Sequence, residues 1–339
     1  MSIKAAIKSA LRPAVRGAWP AIEAAALAGA RVHAGRAQVE WFTAWNDRLD
    51  AALEAMPPMP ECGHDVYRAL LKETGVPKRH ALVSENGAPI AVISLRQRRH
   101  FWEPVTYQCI PKQVAPAVNA AALGRALKAL GLEVRVEGGM GENIAELSPT
   151  KSWAYEWRKV DLKADYEAHW REKKRQYTIR RARKTLAQVT QRVDGAGDVE
   201  WIVDHWRGQW AQDESREVVA APDRMNFWPA LMAASARSAL KLHSLQLMRE
   251  DKRMAGLVFT SIGSTAMIQC GGADLEFDDD YARAAVLIAA IEWAKSAGFD
   301  TLDIAGGPAK RYWGPVGGQR YGGLFRGPIV AAFAWVMPQ

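Results

Sequence analysis

The sequence predicts an α/β protein built from two copies of one unit, each a mixed α+β sheet crossed by a helix. The order hairpin, strand, helix, glycine, strand occurs twice along the 339 residues. Landmarks in the two passages keep a nearly constant separation: Ala91 recurs as Ala255, Gln108-Cys109 as Gln269-Cys270 and Gly131 as Gly298, at offsets of 164, 161 and 167. A hairpin makes antiparallel neighbours and a strand-helix-strand crossover makes a parallel pair, so each copy holds a mixed sheet. The expected division is a leader over 1–37, a first lobe over 38–155 and a second over 156–339, with a cleft between the lobes for a bulky substrate.

In the leader, Lys4, Lys8, Arg12 and Arg16 recur every four residues beside Ile3, Ile7, Leu11 and Val15, the pattern of a short basic amphipathic helix interrupted by Pro13. Residues 1–18 therefore offer a weak contact with an anionic membrane surface. From Gln38 to about Leu71 the apolar residues Trp41, Phe42, Trp45, Leu49, Leu53 and Met56 repeat at three or four, which predicts a helix ending at Pro57.

The first lobe then reads as strand Ala81–Ser84, a turn at Glu85-Asn86-Gly87, strand Pro89–Arg96 and a strand near Val105–Ile110. A helix over Ala117–Leu130 is capped by Gly131 and followed by strand Glu133–Glu137. The second lobe repeats this with Leu242–Arg249, a turn at Glu250-Asp251-Lys252, Met254–Ser261 and Thr265–Cys270. Helix Tyr281–Ala297, Gly298 and strand Thr301–Ile304 complete it. Asp280 has the chemistry of an N-cap for that helix.

The formal charge is +8, and nearly all of the excess lies in Arg171–Lys184, where eight cations face one acid. Cations at this density cover most of a helix and repel one another at i, i+4, so the segment gains from a polyanionic partner. Three scattered cysteines without a C-x-x-C pair fit a reducing, cytoplasmic setting, and no cluster has zinc-like spacing, so no metal is expected. No apolar run reaches the ~18 residues of a membrane-spanning helix. The indoles Trp201, Trp206, Trp210 and Trp228 crowd one region, where a core or lobe-contact role is the default and a stacking platform or an acyl channel would use the same residues.

The duplicated lobes, the basic segment and the stretch Asp303–Gly314 together resemble GNAT-fold acyltransferases, in particular the two-lobed branch of CelD-like proteins and Fem-type peptidyltransferases. The branch's K-x-R-x-x-I-x-x-A helix is matched by Lys173, Arg175, Ile179 and Ala182, and its final D-x-x-G, Lys and Trp-Gly by Asp303, Gly306, Lys310 and Trp313-Gly314. Ala309 stands where an aromatic usually precedes the lysine. The glycine loop that holds coenzyme A pyrophosphate is also missing: Asp278-Asp279-Asp280 precede the central helix, and they favour its dipole but repel a diphosphate.

The resemblance implies acyl transfer by direct attack of an amine, with strand backbone N–H groups meeting the oxyanion where two parallel strands splay. It places Lys310 beside the donor and Asp303 as a base or amine anchor. Arg175, Lys174, Arg181, Lys184, Arg311 and Tyr312 become donor-binding residues. The donor it favours is aminoacyl-tRNA, ahead of an acyl-carrier protein or acyl-CoA, with no tightly bound cofactor and an amine-bearing small molecule or peptide as acceptor. The competing expectations are a non-catalytic polyanion- or nucleic-acid-binding protein on the same scaffold and an envelope polysaccharide-associated acyltransferase.

Overall fold

A computed structural model describes residues 13, 17–18, 20–22, 24–25, 37–59, 63–72, 78–98, 101–105, 115–140, 144–195, 197–210, 227–305, 312–327 and 330. Most of the basic leader and the Gln108-Cys109 landmark therefore lie outside the described residues. The first half folds as β1 (Ala37–Phe42), α1 (Asp47–Glu54), α2 (Gly63–Leu70), β2 (Lys78–Glu85), β3 (Ala88–Arg98), β4 (Phe101–Pro104), α3 (Ala120–Ala129) and β5 (Glu133–Met140). The second follows as β6 (Lys151–Asp161), α4 (Tyr166–Glu172), α5 (Gln176–Leu186), β7 (Thr190–Val193), α6 (Asp198–Trp210) and α7 (Trp228–Ser235). It ends with β8 (Lys241–Arg249), β9 (Lys252–Ile262), β10 (Thr265–Ala273), α8 (Ala282–Ser296), β11 (Thr301–Ala305) and β12 (Val316–Arg326).

The elements gather into two compact units. One comprises Met1–Met59, Pro77–Ala154 and Tyr321–Gln339, the other Pro60–Val76 and Tyr155–Arg320. This division departs from a single cut at 155 in two places: the segment from Tyr321 joins the first unit, and Pro60–Val76 joins the second. In the first unit the strand order is β1-β2-β3-β4-β5-β12, antiparallel throughout except for the parallel pair β4–β5. The second is ordered β7-β8-β9-β10-β11-β6, antiparallel except for β10–β11. After β5 the chain runs into β6, which pairs with β11, and after β11 into β12, which from Tyr321 onward pairs with β5.

The duplication extends to local irregularities. The register of β2 with β3 shifts between Val83 and Ser84, and that of β8 with β9 between Leu247 and Met248, at the same 164-residue offset. Both hairpins turn through two residues with positive φ, Asn86 (52°) and Gly87 (79°) in one, Glu250 (48°) and Asp251 (65°) in the other, the backbone a right-twisted hairpin requires. Gly131 and Gly298 end the two crossover helices with φ of 74° and 85°.

Each crossover helix buries its apolar face on its own sheet. In the first unit Leu123, Ala126 and Leu127 of α3 pack with Ile93, Leu95, Val134 and Phe325. In the second, α8 is buried over most of its circumference, with Ile288 and Ile291 against Leu245, Phe259 and Ile268. The other face of that sheet carries α6, whose backbone at Ile202 and Trp206 lies so close to Gly272 that no Cβ fits there.

Three expectations change. Gln38–Phe42 is a strand rather than the start of a helix, because its backbone pairs with β2; the helix begins at Asp47, where the Asn46 side chain accepts the N–H groups of Arg48 and Leu49 at 3.1 Å. The stretch taken as an interlobe boundary contains β6, whose ladder with β11 orders Arg158–Asp161. The N-cap of α8 is Tyr281, at φ 57°, because Asp278–Asp280 are drawn into a 3-10 turn over Leu275–Asp280.

His80 of β2 is buried, with Nδ1 2.7 Å from the Ser94 hydroxyl and Trp45 packed edge-on. Burial, helped by the charge of Lys78, lowers its pKa to about 4. The unfolded chain therefore takes up this proton near pH 6.5 and the native chain only near 4, so the stabilisation is complete above about 6.5 and is lost as the pH falls toward 4. Between pH 7 and 4.5 the wild-type protein is expected to lose about 2 kcal/mol more stability than His80→Gln, measured by denaturant unfolding at both values.

Candidate active site

Parallel pairing of β10 with β11 lasts three residues, Thr265 with Thr301, Ala266 with Leu302 and Met267 with Asp303. Beyond Met267, β10 continues to Ala273 paired with β9 alone, so the two parallel strands part. A bulge falls at the same place: Ile268 faces Phe259 and Cys270 faces Val258, leaving Gln269 as the extra residue. A bulged residue drops out of the ladder, which frees its main-chain polar groups for another partner. The Gln269 side chain is buried; its Nε2 donates to the Thr260 hydroxyl at 2.8 Å, and its carboxamide oxygen has no hydrogen-bond partner.

Beside Met267 lies a buried polar cluster. Asp303, 1% exposed, accepts hydrogen bonds from Trp157 Nε1 and from Arg320 Nη2, the latter at 2.8 Å. The Arg320 guanidinium lies 3.9 Å from the centre of the Trp157 ring and reaches the Met267 sulfur at 3.9 Å. Asp303 therefore holds Arg320 and Trp157 in place. Sequence reasoning missed both Arg320 and Trp157. The alternation Trp153, Tyr155, Trp157 was the signal for the strand that carries the latter.

The cationic segment forms the end of α4 and most of α5. An apolar stripe is present after all, since Ile179, Ala182 and Thr185 are buried with Leu186 beside them, and it faces the α8 core. Lys174, at φ 54°, makes the break between the helices, and Arg175 occupies the N-cap of α5. Three cations are neutralised locally: Arg171 by Asp165 at 2.7 Å, Lys173 by Glu172 and Arg183 by Glu167. Among the described residues, Lys174, Arg175, Arg180, Arg181 and Lys184 have no carboxylate partner. The arginines rest on aromatics instead: Arg175 over Tyr312 at 3.7 Å, Arg180 over Tyr177 at 5.6 Å and Arg181 over Tyr281 at 5.6 Å.

The structure thus joins two of the expected donor residues, Arg175 and Tyr312. It secures the neighbouring Trp313, whose carbonyl accepts Trp170 Nε1 at 3.0 Å. Arg181 brings Tyr281, and with it the start of α8, to the same basic helix. That helix start has no side-chain cap, and of the three acids before it Asp278 is matched with Arg283 at 3.7 Å. Lys310 and Arg311 lie outside the described residues. Burial pushes the Cys270 thiol well above its ordinary range, which rules it out as a thiolate nucleophile. Among the described residues no group of three or more metal-ligating side chains occurs.

Residues 173–313 match the acetyltransferase (GNAT) domain family. This region is a GNAT acyltransferase domain. Its parting parallel strands, bulged strand and central helix are the features described above. No curated protein sequence matches the chain. Among solved structures, it is similar to the C-terminal DUF2156 domain assigned to a lysylphosphatidylglycerol synthetase of Agrobacterium fabrum, at 12% identity and TM-score 0.51, over 84% of this chain and 96% of that one. It is also similar to L-PGS from Bacillus licheniformis, at 11% identity and TM-score 0.50, over 87% and 98%. FemX gives a looser match, 10% identity and TM-score 0.45, over 86% and 99%. At such identities the likeness is one of fold. The acetyltransferase (GNAT) domain matched over residues 173–313 supports acyl transfer as the activity, and among the described residues no helix is long and apolar enough to cross a membrane.

Removing the Asp303 carboxylate strands a buried guanidinium, so Asp303→Ala is expected to cost about 3–5 kcal/mol. The double variant Asp303→Leu with Arg320→Met, which removes both charges, is expected to recover most of that loss in urea unfolding.

Proposed function

We propose that the protein transfers an aminoacyl or acyl group from a polyanionic donor, aminoacyl-tRNA before acyl-carrier protein or acyl-CoA, to the amine of a small molecule or peptide. The observation that carries this is the set of five cations, Lys174, Arg175, Arg180, Arg181 and Lys184, without carboxylate partners among the described residues along α5 and its approach. Their charge suits a phosphate backbone, and the aromatic rings beneath the arginines keep the guanidiniums extended for it. A donor held by side chains also suits a helix start preceded by three acids and lacking glycines, where a diphosphate is poorly received.

In this reading the neutral amine attacks the activated carbonyl directly and forms the new C–N bond; collapse of the tetrahedral intermediate breaks the bond to the donor's ester oxygen or thioester sulfur, which leaves with the proton given up by the amine. Main-chain N–H groups at the Gln269 bulge stabilise the oxyanion, and the Gln269 carboxamide oxygen takes an N–H of the substrate. Arg320, fixed by Asp303 and Trp157, supplies a buried positive charge at the apex of the strand opening. Lys310, two residues before Tyr312 in the chain, neutralises charge on the donor, with Arg311 assisting. Charged tRNA and acyl carriers are cytoplasmic, which places the reaction there.

Purified protein is expected to consume labelled aminoacyl-tRNA in a panel that includes acyl-carrier protein and acyl-CoA. Consumption of acyl-CoA alone overturns the donor assignment. Lys310→Ala is expected to lower kcat by about 10²–10³-fold with an unchanged melting temperature. Arg181→Glu and Lys184→Glu are each expected to weaken tRNA binding and to reduce the slope of log K against log salt by about one.

A further inference from the structure

A cavity of about 480 Å³ opens in the second unit at the end of the β8–β9 hairpin. Its volume is that of an ordinary ligand pocket, about 300–1,000 Å³. Arg192, Arg253, Asp251, Asp274 and Trp201 line it. None of these residues has a part in the acyl-transfer reading.

The two arginines share one carboxylate. Asp198, the first residue of α6, is wholly buried; it accepts Nε and Nη2 of Arg192, the former at 2.9 Å, and lies 3.3 Å from Nη2 of Arg253. The local sequence is shaped around this contact. A Cβ on Gly195 would overlap both Asp198 and Arg192, and Gly197, at φ +71°, turns the chain into the helix beside Arg253. A buried carboxylate is expensive to desolvate and adds little stability even when paired. What this one achieves is to fix two guanidiniums at the wall of a cavity with one positive charge in surplus. Arg192 Nη1 and Arg253 Nη1 remain uncommitted among the described residues.

The same cavity presents acids. Asp251 stands exposed in the left-handed turn of the hairpin, without a partner among the described residues. Asp274 uses one oxygen to accept the Glu276 N–H at 3.0 Å, while Glu276 is matched by Lys252 at 3.2 Å. A simple anion meets these acids and a simple cation meets the arginines, so neither fits alone. A ligand bearing both charges fits both sets. The Trp201 indole, stacked on His205 at 3.8 Å, adds an aromatic wall for an apolar group.

We propose that this cavity binds a zwitterion, a free α-amino acid or short peptide, with its carboxylate on Arg192 and Arg253 and its ammonium on Asp251 and Asp274. The assignment is independent of the donor that the acyl-transfer site uses.

Calorimetric titration of the full chain with L-alanyl-L-alanine, its N-acetylated form, its C-terminal amide and inorganic phosphate tests it. The free dipeptide is expected to bind, and each capped form to bind about tenfold more weakly or not at all, since each loses one charge-assisted contact. Arg253→Met and Asp251→Asn are expected to weaken the dipeptide about tenfold each. Asn tolerates the left-handed turn, so Asp251→Asn keeps the test decisive even where Arg253→Met fails to fold. Absence of dipeptide binding, equal binding of the capped forms, phosphate binding as tight as the dipeptide's, or an unchanged affinity in Asp251→Asn overturns the proposal.

Discussion

Two parallel strands that pair for three residues and then part are the constraint around which the second unit is arranged. While Thr265–Met267 and Thr301–Asp303 are joined, the main chain is satisfied and closed to a substrate. Once β10 leaves β11 and the bulge at Gln269 breaks its register with β9, polar main-chain groups become available in an otherwise apolar sheet. Such an opening has to be held. The Asp303 carboxylate, on the last paired residue, grips Trp157 from β6 and Arg320 from β12, so three strands meet in one buried charge pair at the apex.

The basic helix shows how charge and packing share one element. Ile179, Ala182 and Thr185 supply the face that α8 requires, and nearby acids absorb three of the cations. If the segment served only as a solvated helix, local acids could have served the rest equally well. Instead Arg175, Arg180 and Arg181 lie over tyrosines, an arrangement that keeps a guanidinium oriented and charged without neutralising it.

What was legible in the amino-acid order was local. Asn86-Gly87 declares a hairpin because the turn demands positive φ, and Gly131 and Gly298 declare helix ends for the same reason; these signals, with the repeat spacing, carry the duplicated architecture. The helix read through Gln38–Phe42 failed because Trp41 and Phe42 satisfy a helical period with Trp45 while their backbone is claimed by β2, a partner some forty residues away. β12 was invisible for a different reason. Its run of glycines has low strand propensity, and one of them, Gly322, is there because the Trp153 ring occupies the space of a side chain. Arg320 went unnoticed with it, since only the pairing with Asp303 distinguishes a buried arginine from a surface one. The Lys310 motif was read from resemblance alone and lies outside the described residues.

The crossed-over assignment of β6 and β12 bears on how the molecule is made. A ribosome delivers β1 to β5 early, yet the strand that covers the β5 edge is among the last described segments to emerge. Throughout synthesis of the 180 residues between Met140 and Tyr321, the nascent first unit carries an uncovered sheet edge, the kind of surface that recruits wrong partners. Biogenesis of this acyltransferase is thus non-sequential: the half translated first is the half completed last.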